Sequence, residues 1–303
     1  MKKVFLFGSG DGAKQYLLKH QKSFELIGLL DNDKDKHGTL FNNMIMIYEP
    51  SIVKTTLYDE IIIVSQWAGE IYTQLTEIFS VPPSKIIIPP KKEIKKVNRP
   101  FEDSKTRELA RDIIQQLSFY AIKDNIALLV DFGTLLGLVR DNDIIEWDDD
   151  VDFSIINLPE EFNFSSWLSQ VLSNINFPVT LIIDSKTVEG NTIYINLIFH
   201  EEENSYKNFI TSISFRTFKN GFSLHLPSAG MWHAPEVHFK NYEIIQWKGY
   251  EILVPYAYKE YLTFLYGDWH IPKKDISMSD YANLGKVTYD DYEALGLHIK
   301  EIL

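Results

Sequence analysis

Asp131-Phe132-Gly133-Thr134-Leu135-Leu136-Gly137-Leu138-Val139-Arg140, followed closely by Ile144-Ile145-Glu146-Trp147-Asp148-Asp149-Asp150-Val151-Asp152, is the stretch that decides the fold. It follows a β-prone run, Ile126–Val130, and continues into another, Val151–Ile156. Side chains alternate faces along a strand, so Asp150 and Asp152 share a face, with Asp148 just upstream on the same side. Three aspartates alone would read as a solvated acidic turn. Three features oppose that reading: Trp147 and Val151 bound the cluster, a strand-like run follows it, and a Gly-Thr turn precedes it. Burying so many like charges without cations is costly. Hard carboxylate oxygens suit Mg²⁺ or Mn²⁺, and two such ions are expected.

The flanking sequence separates into parts. With 303 residues the chain exceeds what one core usually serves. Residues 1–90 alternate strand and helix signals: Val4–Phe7, Ala13–His20, Phe24–Leu30, Ile45–Tyr48, Ile61–Ser65, Ala68–Phe79 and Ile86–Ile88. Ile71, Leu75 and Ile78 are expected on one helical face. Such alternation predicts a Rossmann-like parallel sheet covered on both sides. Residues 91–100, basic and bounded by prolines, read as an exposed linker, with contact to a membrane surface or an acidic polymer as the alternative. Residues 101–303 form the second, α+β domain. It opens with a helix capped by Asp103 or Ser104, whose Leu109, Ile113, Leu117 and Ala121 recur every four residues. Val179–Ile183 and Thr192–Phe199 are further strand candidates.

Charge narrows the function. Residues 1–98 hold 13 Lys and no Arg against 11 acidic residues, a net of +2, so the remainder, with 17 basic against 31 acidic residues, carries −14 within the overall −12. A domain that acidic repels phosphate polymers, so no nucleic acid partner is expected. A phosphate-bearing small molecule would need cations to screen it. There is no cysteine, hence no thiolate metal site and no Cys nucleophile. The N-terminal apolar run is too short for a secretory leader, and no run of about 18 apolar residues exists to span a membrane. The expected compartment is the cytoplasm, including the inner face of the membrane.

Gly8-Ser9-Gly10-Asp11-Gly12-Ala13 follows a strand and precedes a helix, and Asp31 ends the second strand. In a Rossmann unit such glycines admit a pyrophosphate to the backbone and the acid accepts ribose hydroxyls. A tight turn favouring glycine is the simpler account of the same residues. NAD is not expected, because no hydride-transfer signature accompanies the turn. Residues 1–90 resemble the small Rossmann-like domains that precede bacterial sugar acyltransferases, which implies a nucleotide or nucleotide-sugar ligand.

A Gly and a small hydroxyl residue, then a carboxylate pair on the next strand, is the layout of the nucleotidyltransferase fold. The two motifs quoted first, with Val254-Pro255, Tyr261-Leu262, Leu265-Tyr266-Gly267-Asp268-Trp269 and Pro272 in order after them, resemble the LicD family of phosphocholine and fukutin-type phosphotransferases. The resemblance spans roughly residues 105–275. It implies that Asp148, Asp150 and Asp152 hold metal, that Gly133 and Thr134 face phosphate, and that Arg140 meets the donor. It further implies transfer of a phospho-alcohol, such as phosphocholine, from a CDP-linked donor to a hydroxyl of a glycan or glycolipid, releasing CMP. Family members usually carry an aspartate in the strand matched here by Ile193-Tyr194-Ile195-Asn196-Leu197. Asn196 cannot take a proton at neutral pH, so Asp184, Glu189 and Glu201 are the nearest alternative carboxylates. A nucleotidyltransferase that releases pyrophosphate and a non-catalytic nucleotide-sugar-binding scaffold are the rival functions. His225, His233 and His238 fit no zinc spacing and are expected in structural roles, with contact to donor or acceptor as the alternative. Trp232, Trp247 and Trp269 are expected to pack in the core, with stacking on sugar or choline as the alternative. Neither donor alcohol, acceptor nor oligomeric state is legible.

Overall fold

The computed structural model describes residues 1–95, 98–159, 161–188, 190–200, 205–274 and 283–285. They divide into two compact units, the first holding residues 1–95 and 273–274 and the second the described residues of 98–272 with 283–285.

In the first unit β1 (Lys3–Phe7), α1 (Asp11–His20), β2 (Glu25–Leu30), β3 (Leu40–Phe41), β4 (Ile45–Tyr48), β5 (Glu60–Ile63), α2 (Ala68–Thr73), β6 (Ile86–Ile87) and α3 (Lys91–Ile94) follow one another. The sheet order is β3-β4-β2-β1-β5-β6, parallel except for the β3–β4 pair. Val4, Leu6, Leu29, Ile62 and Val64 are buried against Ala13 and Leu17 of α1. Two expectations need correction. The Ala68–Phe79 helix widens into a π turn over Gln74–Ile78. The wider turn rotates Ile78 off the buried stripe, leaving it 64% exposed while Ile71 and Leu75 stay buried. The start of the expected linker is also structured: α3 lies on α1, with His20 Nε2 2.7 Å from Glu93 Oε2.

The second unit holds α4 (Ser104–Lys123), β7 (Leu128–Val130), α5 (Phe132–Arg140), β8 (Asp150–Ile155), α6 (Phe164–Asn174), β9 (Ile182–Val188), β10 (Asn191–Ile198), β11 (Ile210–Lys219), β12 (Phe222–His225), β13 (His233–Pro235), α7 (Val237–Lys240), β14 (Tyr242–Trp247), β15 (Tyr250–Pro255) and α8 (Tyr258–Tyr266). Asp103 caps α4 by accepting the Thr106 N–H at 2.8 Å, and Leu109, Ile113, Leu117 and Ala121 are buried. Across the first half of β11 the strands run β7-β8-β11-β10-β9, with β8 and β11 parallel and the other pairs antiparallel. Val151, Phe153, Ile155, Ile195, Leu197 and Ile213 turn one face of this sheet into the core. The alternate face is polar. The expected strand Val179–Ile183 begins three residues later, because β9 takes its register from the hairpin with β10. No helix among the described residues is long and apolar enough to cross a membrane.

Candidate active site

The expected Gly-Thr turn is the first turn of a helix. Asp131 caps α5 by accepting the Phe132 N–H at 2.7 Å. Phe132 sits at φ 45°, a left-handed conformation that costs a bulky residue about 1–3 kcal/mol and commonly marks functional sites. It turns the chain from β7 into α5 and brings Gly133 against the acidic cluster. A Cβ at Gly133 would land on the Asp148 carboxylate, so any larger residue would displace that carboxylate. Thr134, buried beneath the turn, accepts the Asp152 N–H on its Oγ1 at 2.8 Å.

The loop between α5 and β8 is folded back over its helix. A Cβ at Gly137 would lie 2.6 Å from the Asp143 carbonyl oxygen, so glycine lets the loop pass. Arg111 of α4 forks onto Asp143 at 2.8 and 2.5 Å, and Arg107 reaches Glu146 at 2.7 Å. Trp247 Nε1 donates to the Asn142 carbonyl at 3.2 Å. This bracing delivers Asp148, Asp149 and Asp150 together: one carboxylate oxygen from each lies within 4.8 Å of the others. Strand parity counted from Asp148 passes over Asp149, whereas the strand begins at Asp150. Burial, then the charges of Asp150, Asp148, Asp131 and Asp149, push the Asp152 carboxyl well above the usual range. A hard, convergent donor set whose acids repel each other fits a divalent cation.

Other expected residues are placed as follows. Asn196 of β10 lies opposite Ser212 of β11, which lies opposite Asp152; Asp184 of β9 lies beyond Asn196 in the same row. At about 4.8 Å per strand, Asn196 stands roughly 10 Å from Asp152 and Asp184 roughly 14 Å. Asn196 is thus the nearer of the two, and Glu189 and Glu201 lie outside the described residues. Arg140 ends α5, forks onto Asp141 at 2.8 and 2.7 Å, and lies 5.9 Å from the Trp147 ring centroid. The histidines do not converge. His225 sits between Ser214 and Ser228 at 2.8 and 2.9 Å, His238 meets the Tyr256 carbonyl, and His233 packs on Phe222 and Phe264. Burial and then Arg216 lower the His225 pKa to about 3. Trp247 and Trp269 are buried, whereas Trp232 is half-buried beside Phe132.

Asp131, Arg216 and Tyr261 were not singled out for a role from the sequence. Asp131 is fully buried and pairs with Arg216 Nη2 at 2.6 Å, the guanidinium being 1% exposed. The Ser154 and Tyr261 hydroxyls also donate to its carboxylate. Burial opposes the Asp131 charge, yet Arg216, Ser154 and Tyr261 together hold the carboxyl below the usual range. Burial and Asp131 push the Tyr261 phenol well above its ordinary value. Tyr261 at least stood in the closing pattern; a lone Arg on a strand carried no signal.

In the first unit Gly8 adopts φ 113° and donates to the Leu30 carbonyl at 2.8 Å, while a Cβ at Gly12 would strike the Val64 carbonyl. Gly10 is extended and precedes α1. The Asp31 carboxylate is taken up within the chain, accepting from the Ser9 N–H at 3.0 Å, the Ser9 hydroxyl and the Asp33 N–H at 2.9 Å, with Lys36 Nζ at 3.5 Å.

Comparison with known proteins finds one match in each unit. Residues 1–87 match the C2185-like N-terminal domain, and residues 125–257 match the LicD/FKTN/FKRP nucleotidyltransferase domain. No curated protein matches the chain significantly. Among solved structures, UDP-D-quinovosamine 4-dehydrogenase from Vibrio fischeri is 24% identical over 29% of this chain and 75% of its own, with a TM-score of 0.23. An antigenic nucleotidyltransferase-like protein from Paracoccidioides brasiliensis is 13% identical over 50% of this chain and 62% of its own, with a TM-score of 0.30. Likenesses this distant decide nothing about function. The match over residues 125–257 takes in both the Gly133 turn and the acidic strand, so this part of the second unit is similar to the LicD/FKTN/FKRP nucleotidyltransferase domain.

Proposed function

We propose that the second unit transfers a phospho-alcohol from a CDP-linked donor to a hydroxyl of a surface glycan or its precursor, with divalent metal. The observation that carries this reading is the convergence of Asp148, Asp149 and Asp150 beside Gly133, with Asp152 two residues further along the strand that Asp150 begins. When bound there, Mg²⁺ or Mn²⁺ ions supply charge neutralisation at the donor phosphates and a lowered pKa for an attacking hydroxyl. Gly133, lacking a side chain, lets the Asp148 carboxylate close on the first turn of α5. Asn196 can orient the acceptor through its amide but cannot remove its proton.

The test follows phosphorus species by NMR with Mg²⁺, a panel of CDP-alcohols, CTP and glycan acceptors. CMP release with a CDP-alcohol, abolished in Asp150→Asn, is expected. Pyrophosphate from CTP would favour a nucleotidyl transfer instead. Cytidine nucleotide binding that ignores metal would sink the proposal.

A further inference from the structure

We propose that Arg216 is a positioning residue for the acidic cluster, acting through Asp131 as a buried clamp that fixes where Asp152 stands. The inference rests on the metal-dependent reading above. Asp152 is held through both backbone groups. Its carbonyl accepts the Asp131 N–H at 3.0 Å, and its N–H donates to Thr134 Oγ1 at 2.8 Å. Asp131 and Thr134 thus grip Asp152 from either side of Phe132-Gly133, and whatever holds Asp131 holds the site.

What holds Asp131 is Arg216. From β11 its guanidinium reaches across β8: Nε donates to Ser154 Oγ at 2.9 Å and Nη2 to Asp131 at 2.6 Å. Ser154 lies two residues beyond Asp152 on the same face of β8, opposite Ser214. One side chain therefore ties β11 and β8 to the end of β7. Tyr261 from α8 adds its hydroxyl to the second Asp131 oxygen. The guanidinium centre lies 3.8 Å from the Phe239 ring centroid and 5.4 Å from that of Phe132, the strained residue before Gly133.

Stability alone explains this arrangement poorly. A buried ion pair is often no more stabilising than apolar residues of the same volume. Here it also leaves Arg216 Nη1 buried with no hydrogen-bond partner among the described residues. Its fork meets Ser154 and Asp131, one two residues from Asp152 and the other bonded to its carbonyl. Groups that orient metal ligands typically change metal affinity by about 10–100-fold when removed.

The test measures Mn²⁺ affinity of the full chain by electron paramagnetic resonance of free Mn²⁺, beside thermal unfolding without metal. Wild type is compared with Arg216→Lys, which keeps the charge but loses the fork, and with Tyr261→Phe, which loses one hydroxyl and keeps the ring. Mn²⁺ affinity is expected to fall about tenfold or more in Arg216→Lys and about threefold or more in Tyr261→Phe, with unchanged circular dichroism. If Arg216→Lys does not fold, Tyr261→Phe decides. Variants that unfold at lower temperature yet bind Mn²⁺ within about twofold of wild type would overturn the positioning role alone. A wild type that binds no Mn²⁺ overturns both this inference and the metal-dependent function.

Discussion

Gly133 shows how a single atom decides the site. In the first turn of a helix alanine is ordinarily preferred over glycine by up to about 1 kcal/mol. Here the added methyl would occupy the space of the Asp148 carboxylate. Gly133→Ala is therefore expected to keep the fold and weaken Mn²⁺ binding about tenfold, roughly 1.4 kcal/mol, read by titration of the metal. Titration equal to wild type would mean that Asp148 is not a ligand. Asp148 and Asp150 are legible because charge, parity and a flanking Trp coincide in one short run, whereas Asp152, expected with them, is not one of the three whose oxygens converge. Asp149 was hidden by where the strand begins, and Asn196 against Asp184 was undecidable without the register. Arg216 became visible only when β11, remote in sequence, was laid beside β8.

At the scale of elements, α5 and the loop after it form a brace. Gly133-Thr134 reads as a turn in the sequence, yet α5 carries both Gly133 and Gly137 and buries Leu135, Leu136 and Leu138. Each glycine instead serves a close approach, Gly133 to Asp148 and Gly137 to the returning loop. Gly137→Ala gives a test of sign. Helix propensity predicts a gain of about 1 kcal/mol. The 2.6 Å approach of its Cβ to the Asp143 carbonyl predicts a loss of about 1–3 kcal/mol. A loss is expected in urea unfolding, and a gain would show that the loop is not held against the helix. The regular elements were largely legible because their apolar spacing is regular. The π turn, α3 and the start of β9 were not, since they depend on packing and hairpin register.

For the whole molecule the buried charges set a dependence on pH. The imidazole of His225 falls from its usual 6.5 to about 3. Across that window the unfolded chain binds a proton that the native state refuses, so stability declines as pH falls below about 6.5. On the order of 2–4 kcal/mol is expected to be lost by pH 4, and urea unfolding of His225→Gln should show a flatter profile. A parent curve flat from pH 7 to pH 5 would count against a neutral buried ring. Asp131 adds to the same trend, holding stability above the usual carboxylate range and losing it as pH falls through its lowered value. Asp152 acts oppositely: the native state keeps a proton that the unfolded chain has lost, so the metal-free protein gains stability as pH falls towards that range. Sequence charge alone points towards a cation but not to which acids are paired inside. The parallel union of β8 with β11 has a consequence for biogenesis. During synthesis β8 waits for a partner sixty positions downstream, Asp150 for Ile210, with one backbone edge open. An open edge invites a strand from another nascent chain, and carboxylates crowded at its mouth repel one carrying the same sequence. Neutralising them with asparagine would remove that guard on the ribosome before it ever touched a finished enzyme.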